Sequence, residues 1–118
     1  TPFGAKLREL RGGKGLTQKQ MAAALNVSAA YLLALEHGHR AAPSFEFVQR
    51  VTGYFNVIWD EAEELQRLAA LSDPRPSIDT SGLSPHATEL ANLLARRIAS
   101  LPNENVKELL SALKSGQD

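Results

Sequence analysis

The side chains of this sequence that could carry out chemistry are few, and their spacing suits neither catalysis nor metal binding. His37 and His39 are two residues apart, His86 is distant, and there is no cysteine. Two histidines without cysteine or clustered carboxylates do not complete a metal site. No Ser, His and Asp set has catalytic spacing, and there is no glycine-rich phosphate loop. The sequence therefore predicts no enzyme, no metal and no cofactor, and recognition by polar side chains is the chemistry that remains.

The charged residues of this 118-residue chain are divided by position, although they sum to zero. A net charge of zero argues against a partner that is a nucleic acid, since proteins that bind nucleic acids are commonly basic. Residues 1–59, however, carry seven Lys or Arg and three Asp or Glu, a net charge of +4, and residues 60–118 carry a net charge of −4. Such an asymmetry indicates either nucleic-acid contact by the basic half or chance decoration of the surface.

Apolar residues recur at helical spacing along the chain, and no segment alternates as a half-buried strand does. Residues 1–72 predict five helices. The second begins with a Thr17–Gln20 capping box, the third is N-capped by Ser28, the fourth opens at Ser44, and the fifth is N-capped by Asp60. Residues 73–83 are rich in Pro, Ser, Thr and Asp and predict a linker. The fold class is therefore all-α, with a five-helix domain followed by a C-terminal helical hairpin.

The segment from Gln18 to Leu35 has the pattern of two helices that cross at a steep angle around a tight turn. Ala22 is small enough to let the helix backbones approach, and Asn26 tolerates the left-handed conformation that such a turn needs. The apolar residues that can pack this pair are Met21, Leu25, Val27, Leu32 and Leu35. The outer face of the third helix then stays free to enter the major groove of DNA.

Three stretches of the sequence resemble the helix-turn-helix domain of the XRE-type family, the class of the phage repressors and Cro: LRELRGGKGLTQKQMAAALNVS, AYLLALEHG and PSFEFVQRVTGYFNV. The resemblance runs from Phe3 to Leu71. It implies a repressor-like, five-helix DNA-binding domain and a protein that binds its operator as a dimer.

The resemblance also implies roles for residues around the helix pair. Arg11 matches an Arg that pairs with the Glu closing the third helix, here Glu36, so we expect a partly buried charge pair that orients this helix. Gln18 matches the position whose amide and helix end grip a phosphate, with a plain capping role as the alternative. Lys19 beside it is a further candidate for DNA contact.

The face of the third helix that should read DNA is unusually poor in hydrogen-bond donors. Tyr31 can offer its hydroxyl to a phosphate or a base edge, or it can lie over the second helix. Leu33 can pack on a thymine methyl or bind a protein partner. Specificity can come from the following loop, where Arg40 is the best candidate for a phosphate or the minor groove, or from DNA shape. The candidate DNA-binding residues on this face and in this loop are Ser28, Ala29, Ala30, Tyr31, Leu33, Ala34, His37, His39 and Arg40.

Residues 84–118 predict a helical hairpin that is too small to bury its own apolar stripe. We expect it to join chains into a dimer or a tetramer, and packing on the fifth helix of the same chain is the alternative. The candidate oligomerisation residues are Leu90, Leu94, Ile98, Leu101, Val106, Leu109, Leu110 and Leu113.

The sequence thus predicts a regulator of transcription, most simply a repressor, that binds a pseudo-palindromic site in double-stranded DNA as a homodimer. The alternative is an adaptor or antitoxin-like protein that uses the apolar face of the third helix. The longest apolar run, from Ala29 to Leu35, is too short to span a bilayer. With no signal-like start and no cysteine, we expect a cytoplasmic protein without a membrane partner or a small-molecule ligand.

Overall fold

The computed structural model describes residues 1–116, and it confirms the all-α prediction, because the described residues contain helices and no strand. A short 3-10 helix, Ile98–Ser100, follows α6. The seven α-helices are α1 Pro2–Gly13, α2 Gln18–Leu25, α3 Ala29–Glu36, α4 Phe45–Tyr54, α5 Asp60–Ala70, α6 Pro85–Arg97 and α7 Asn103–Ser115.

The chain divides into two compact units. The N-terminal unit, Thr1–Pro76, contains α1 to α5, and the C-terminal unit begins at Ser77 and contains α6 and α7. The last two residues of the predicted hairpin, Gln117 and Asp118, lie outside the described residues. No helix of the described chain is long and apolar enough to cross a membrane.

The N-terminal unit has one hydrophobic core, to which each of its five helices contributes. Burial of a large apolar side chain contributes about 1.5–3 kcal/mol to stability, so this core is what holds α3 in place. Its largest fully buried side chains are Phe3, Leu7, Met21, Leu25, Leu32, Leu65, Val48 and Val51. Ser72, which the sequence did not single out, joins the two ends of the unit. Its hydroxyl accepts from the N–H of Phe3 at 2.9 Å and donates to the carbonyl oxygen of Leu68 at 2.5 Å.

The helix starts show how closely local side chains decide the boundaries. The Thr17 hydroxyl accepts from the N–H of Gln20 at 3.0 Å, and the Gln20 side chain accepts from the N–H of Thr17 at 2.9 Å, which confirms the capping box. Ser28 and Ser44 each accept from the N–H three residues later, as predicted, and Ser84 does the same at the start of α6. These caps satisfy N–H groups that have no partner within the helix.

The prediction for the start of the fifth helix is wrong. Asp60 is the first residue of α5, and Trp59 occupies the N-cap position with φ 53°, ψ −126° and no side-chain cap. The acidic side chains of the first turn, Asp60, Glu61 and Glu63, still favour the helix dipole there. Sequence rules placed the cap on the residue type that best accepts hydrogen bonds, whereas the preceding loop brings Trp59 to that position.

Trp59 adopts a backbone conformation that costs a residue with a Cβ about 1–3 kcal/mol. Trp59 is 82% exposed, so replacing its side chain removes little packing. Glycine adopts this backbone conformation without strain, although it loses more conformational entropy on folding than tryptophan does. The gain exceeds the loss, so we expect Trp59→Gly to raise the free energy of unfolding by about 1 kcal/mol. Trp59→Ala keeps a Cβ and is the control, with no gain expected. Urea unfolding of both variants checks this, and equal stability of the two would contradict the strain.

The two helices of the C-terminal unit contain no buried residue. Their apolar side chains line an open groove of about 150 Å³ between the end of α6 and α7. The residues that line it are Leu94, Ile98, Leu101, Val106, Leu109, Leu110 and Leu113. Leu90 and Leu93 line a neighbouring apolar groove on the same unit. The apolar stripe of this unit is therefore exposed, and its packing against a second chain stays a prediction.

Candidate nucleic-acid interface

The turn between α2 and α3 has the geometry that the sequence predicted. Asn26 is left-handed, with φ 59° and ψ 46°, and its N–H donates to the carbonyl oxygen of Ala23 at 3.2 Å. The N–H of Val27 donates to Ala22 at 3.0 Å, which closes the end of α2. Ala22 itself is buried, so its small side chain lies between the packed helices. This turn fixes the angle at which α3 leaves α2.

Helix α3 is attached to the core by one side only. Leu32 and Leu35 are buried, whereas Ala29, Ala30 and Leu33 are exposed. Ser28 caps the helix through its oxygen, and its own O–H remains available as a donor. The exposed side is thus small and apolar except for the hydroxyl of Ser28 at its start.

A glycine on α1 lets α3 come unusually close. A Cβ at Gly4 would lie 2.2 Å from the carbonyl oxygen of Leu35, which is closer than any side chain could come. No local pattern around Gly4 predicts this contact, because the approach of the two helices depends on tertiary packing. Gly4 therefore helps to fix the C-terminal end of α3 against α1.

Glu36 lies at the end of α3 in a network of cations. Its carboxylate accepts from Nε and Nη2 of Arg11 at 2.9 and 3.0 Å, and the residue is only 4% exposed. The Nε of Arg8 lies 3.7 Å from Oε1 of Glu36, and the Nη2 of Arg8 donates to the carbonyl oxygen of Glu36 at 3.1 Å. The ion pair expected between Arg11 and Glu36 is present in this geometry. Burial alone would raise the pKa of Glu36, but the hydrogen bonds from Arg11 and Gln18 and the charges of both arginines lower it below its usual value.

Gln18 has a partner that the sequence did not indicate. Its Nε2 donates to Oε1 of Glu36 at 3.2 Å, so the amide joins the start of α2 to the end of α3. The capping of α2 belongs to Thr17 and Gln20 instead. A phosphate contact by Gln18 remains a prediction.

Most cations of the basic half have partners within the N-terminal unit. Arg8 and Arg11 bind Glu36, and Lys6 lies 3.5 Å from Glu9. Lys14 lies over the rings of Tyr54 and Phe55, and Arg50 donates to the carbonyl oxygen of Leu25 at 2.7 Å. Within residues 1–59, Lys14, Lys19 and Arg40 have no side-chain hydrogen bond or ion pair with another described residue, and Lys14 and Arg40 lie over aromatic rings. The net charge of +4 therefore overstates the number of cations that are free to bind DNA.

The loop after α3 carries the remaining polar candidates. His37 is the C-cap of α3, Gly38 follows with φ 76°, and His37, His39 and Arg40 are exposed. Tyr31 packs on Phe47 of α4, with ring centroids 5.6 Å apart, and the Arg40 guanidinium lies 5.0 Å from the centroid of its ring. The ring of Tyr31 thus packs on α4, and contact of its hydroxyl with DNA stays a prediction. Among the described residues, no group of three or more His, Asp or Glu side chains could hold a metal ion.

Helices α1 to α5 are similar to those of known proteins. A family model described as a helix-turn-helix domain matches residues 2–70. The HTH-type transcriptional activator BcrR of Enterococcus faecalis is 28% identical over 100 residues, which cover 85% of this chain and 48% of that protein. This chain therefore spans about half the length of that relative. A solved structure, the SinR protein/SinI protein complex, is similar with a TM-score of 0.46 and 19% identity, over 95% of this chain and 94% of that chain.

Proposed function

Because this chain belongs to the helix-turn-helix domain family, we propose that it binds double-stranded DNA through the exposed side of α3 and regulates transcription. The observation that carries the proposal is the way α3 is held. Its buried side, its N-cap and the Glu36 network fix the helix, and its opposite side has no packing partner in the N-terminal unit. A helix presented in this way fits the major groove, which is about 12 Å wide.

The small residues of α3 suit a close approach of the helix to the base edges. Ala29 and Ala30 are exposed, and Ala34 is half-buried beside them. Their methyl groups, with Leu33, can contact thymine methyl groups but cannot form bidentate hydrogen bonds. Ser28 supplies one hydroxyl donor at the start of the helix. Contacts of this kind read the sequence weakly, so other residues must add to both affinity and specificity.

Phosphate contacts would come from residues around the edges of α3. Lys19 on the first turn of α2 and Arg40 in the loop are exposed cations, and His37 and His39 are exposed beside Arg40. Gln18 would add its amide at the N-terminus of α2, where backbone N–H groups favour an anion. Phosphate contacts fix the register of a protein on DNA and carry no sequence information by themselves.

We infer further that the C-terminal unit joins two copies of the chain. Its helices have no buried residue, and an apolar groove of about 150 Å³ is open between them. Two such units could bury each other's leucines and place two α3 helices about 34 Å apart on a pseudo-palindromic site. Repression by occlusion of a promoter is the simplest output. The relative from Enterococcus faecalis is named as an activator, and an activator would use the same DNA contacts.

The experiment that tests this function is selection of DNA fragments from a genomic library by the full chain, followed by titration of the selected fragments at several salt concentrations. Specific binding, at least about 1,000-fold tighter than binding to random fragments, supports a sequence-specific regulator. Weak and uniform binding to all fragments at physiological salt would contradict it. DNA binding also implies that this part of the chain acts in the compartment that holds the DNA, which in a bacterium is the cytoplasm.

One observation favours a second function, that of an adaptor which binds a protein. Leu33 is 41% exposed in the middle of the α3 face, where a DNA-reading protein would commonly have a polar side chain. An exposed leucine surrounded by alanines could be the centre of a small protein-binding surface.

Leu33→Ser distinguishes these two functions. We expect this variant to fold, since Leu33 is exposed, and to change affinity for the selected DNA less than about tenfold while altering the preference at one base pair. Titration of wild type and variant on the selected fragment and its single-base derivatives provides the measurement. Leu71→Ser is the matched control, because Leu71 is also exposed on the N-terminal unit but lies at the end of α5. Identical DNA binding, with identical preference at every base pair, would favour the adaptor.

A further inference from the structure

Arg40 folds back from the loop after α3 over a side chain in the first turn of that helix. Its guanidinium lies 5.0 Å from the centroid of the Tyr31 ring, and Tyr31 follows the N-cap Ser28 by three residues. Although Arg40 comes four residues after the last residue of α3, its charge is therefore held near the start of the helix. The start of a recognition helix is the part that contacts base edges in helix-turn-helix proteins.

The Tyr31 ring is a fixed platform because it is packed on the core. Its ring meets that of Phe47 edge to face, with centroids 5.6 Å apart and an interplanar angle of 84°. Phe47 is buried, and its ring packs in turn against that of Phe3, with centroids 6.4 Å apart. Edge-to-face pairs of this kind restrict ring orientation. The position of the Arg40 guanidinium is therefore coupled to the core through three aromatic rings.

Arg40 differs from Arg50 in having no side-chain hydrogen bond within the part of the chain that the structure describes. Arg50 also lies over an aromatic ring, that of Phe47 at 5.6 Å, but its Nη1 donates to the carbonyl oxygen of Leu25 at 2.7 Å. That hydrogen bond makes Arg50 part of the packing at the end of α2. Arg40 makes no hydrogen bond or ion pair with another described residue, so its N–H donors are oriented by stacking and left unused.

We propose that Tyr31 is a positioning residue that holds Arg40 for a bidentate contact with DNA. This inference rests on the proposed function and names the source of the contacts that the alanines of α3 cannot make. The ligand is a pair of adjacent acceptors, either O6 and N7 of a guanine or two phosphate oxygens, since both match the planar fork of a guanidinium. The Tyr31 hydroxyl is not required, because the ring face provides the platform.

The size of the effect follows from the strength of stacking. A cation–π contact at an exposed site changes an equilibrium constant about two- to fivefold. Loss of the ring should weaken DNA binding by that factor, because Arg40 would then pay the ordering cost on binding. The loss should occur only in a chain that still has Arg40.

A double-mutant cycle on the fragment selected by wild type tests the proposal. We expect Tyr31→Phe to bind like wild type, Tyr31→Leu to bind about two- to fivefold more weakly, and Arg40→Ala to bind about tenfold or more weakly. Adding Tyr31→Leu to Arg40→Ala should then cause no further loss. If the acceptors are phosphate oxygens, Arg40→Ala lowers the slope of log affinity against log salt by about one. If they belong to a guanine, it removes the preference for that base pair.

Two further measurements keep the proposal falsifiable if Tyr31→Leu does not fold. Arg40→Lys keeps the charge but lacks the planar fork, so it should bind nearly as weakly as Arg40→Ala. In the free full-length protein, the NMR signals of the Arg40 δ protons should be shifted upfield by the Tyr31 ring in wild type and in Tyr31→Phe.

The proposal is overturned by additive losses in the cycle, by Tyr31→Phe binding as weakly as Tyr31→Leu, or by Arg40→Lys binding like wild type. If wild type selects no DNA, the proposed function fails, and the proposed contact of Arg40 with DNA fails too. The upfield shift of the Arg40 protons then still decides whether Tyr31 holds this arginine.

Discussion

Replacing Arg11 by alanine is expected to lower the free energy of unfolding by about 3 kcal/mol. The substitution removes two hydrogen bonds to the Glu36 carboxylate, at 2.9 and 3.0 Å, and a third to the carbonyl oxygen of Leu16 at 3.1 Å. Glu36 would then be a buried carboxylate with Gln18 and the more distant Arg8 as its remaining side-chain partners. A buried carboxylate that has lost its main partner lowers the free energy of unfolding far more than an exposed ion pair raises it. Urea unfolding followed by circular dichroism measures the loss.

Lys6→Ala is the matched control for this prediction. Lys6 lies on the same helix and its Nζ is 3.5 Å from Glu9, whose side chain is 73% exposed. Exposed pairs contribute little, so the control should change the free energy of unfolding by less than about 1 kcal/mol. Equal losses in Arg11→Ala and Lys6→Ala would show that the Glu36 network does not hold α3.

The same network gives stability a defined dependence on pH. Burial alone would raise the pKa of Glu36 above its ordinary value of 4.5, but the hydrogen bonds from Arg11 and Gln18 and the charges of Arg11 and Arg8 together lower it in the folded state. The contribution of Glu36 is therefore complete above pH 4.5 and is lost as the pH falls below that value through the folded-state pKa. The difference in stability between wild type and Glu36→Gln should accordingly shrink in this acidic range.

Placing a charge in the groove of the C-terminal unit is expected to separate the proposed dimer. Leu94 lines both apolar grooves of that unit. A glutamate there would have to leave water when two units associate, so Leu94→Glu should weaken self-association at least about 1,000-fold. Sedimentation velocity at micromolar concentration should then show a dimer for wild type and a monomer for the variant. DNA affinity should fall with it, because each half-site would be bound separately.

Asn92→Glu provides the control for this charge. Asn92 lies on the same helix, is exposed and lines neither groove, so this variant should remain a dimer. A Leu94→Glu chain that sediments like wild type would contradict the role of the groove. A monomeric wild type would instead favour the alternative in which the helical hairpin packs on α5 of its own chain.

Local sequence patterns predicted the elements around the site well, because caps and tight turns depend on residues close in sequence. Ser28, Asn26 and the Thr17–Gln20 capping box are all used as expected. The position of Arg11 beside Glu36 was predicted by resemblance to a family, since the two residues are 25 apart and no local rule joins them.

The contacts that the sequence did not predict all depend on how the helices pack. The hydrogen bond from Gln18 to Glu36, the stacking of Arg40 on Tyr31 and the close approach at Gly4 join distant parts of the chain. The same limit applies to charge. A count of basic residues predicted a positively charged half, but it could not show that Arg8, Arg11 and Arg50 are used inside the unit.

The central claim, that α3 faces DNA, can be tested by directed cleavage of the selected fragment. Since the chain has no cysteine, Ala30→Cys gives a single attachment point for an iron chelate on the exposed side of α3. Ala70→Cys is the control at the end of α5, a helix that packs on α1 and α4. We expect the label at residue 30 to cleave DNA within the bound site and the label at residue 70 to leave it intact. Cleavage from residue 70 without cleavage from residue 30 would contradict the account.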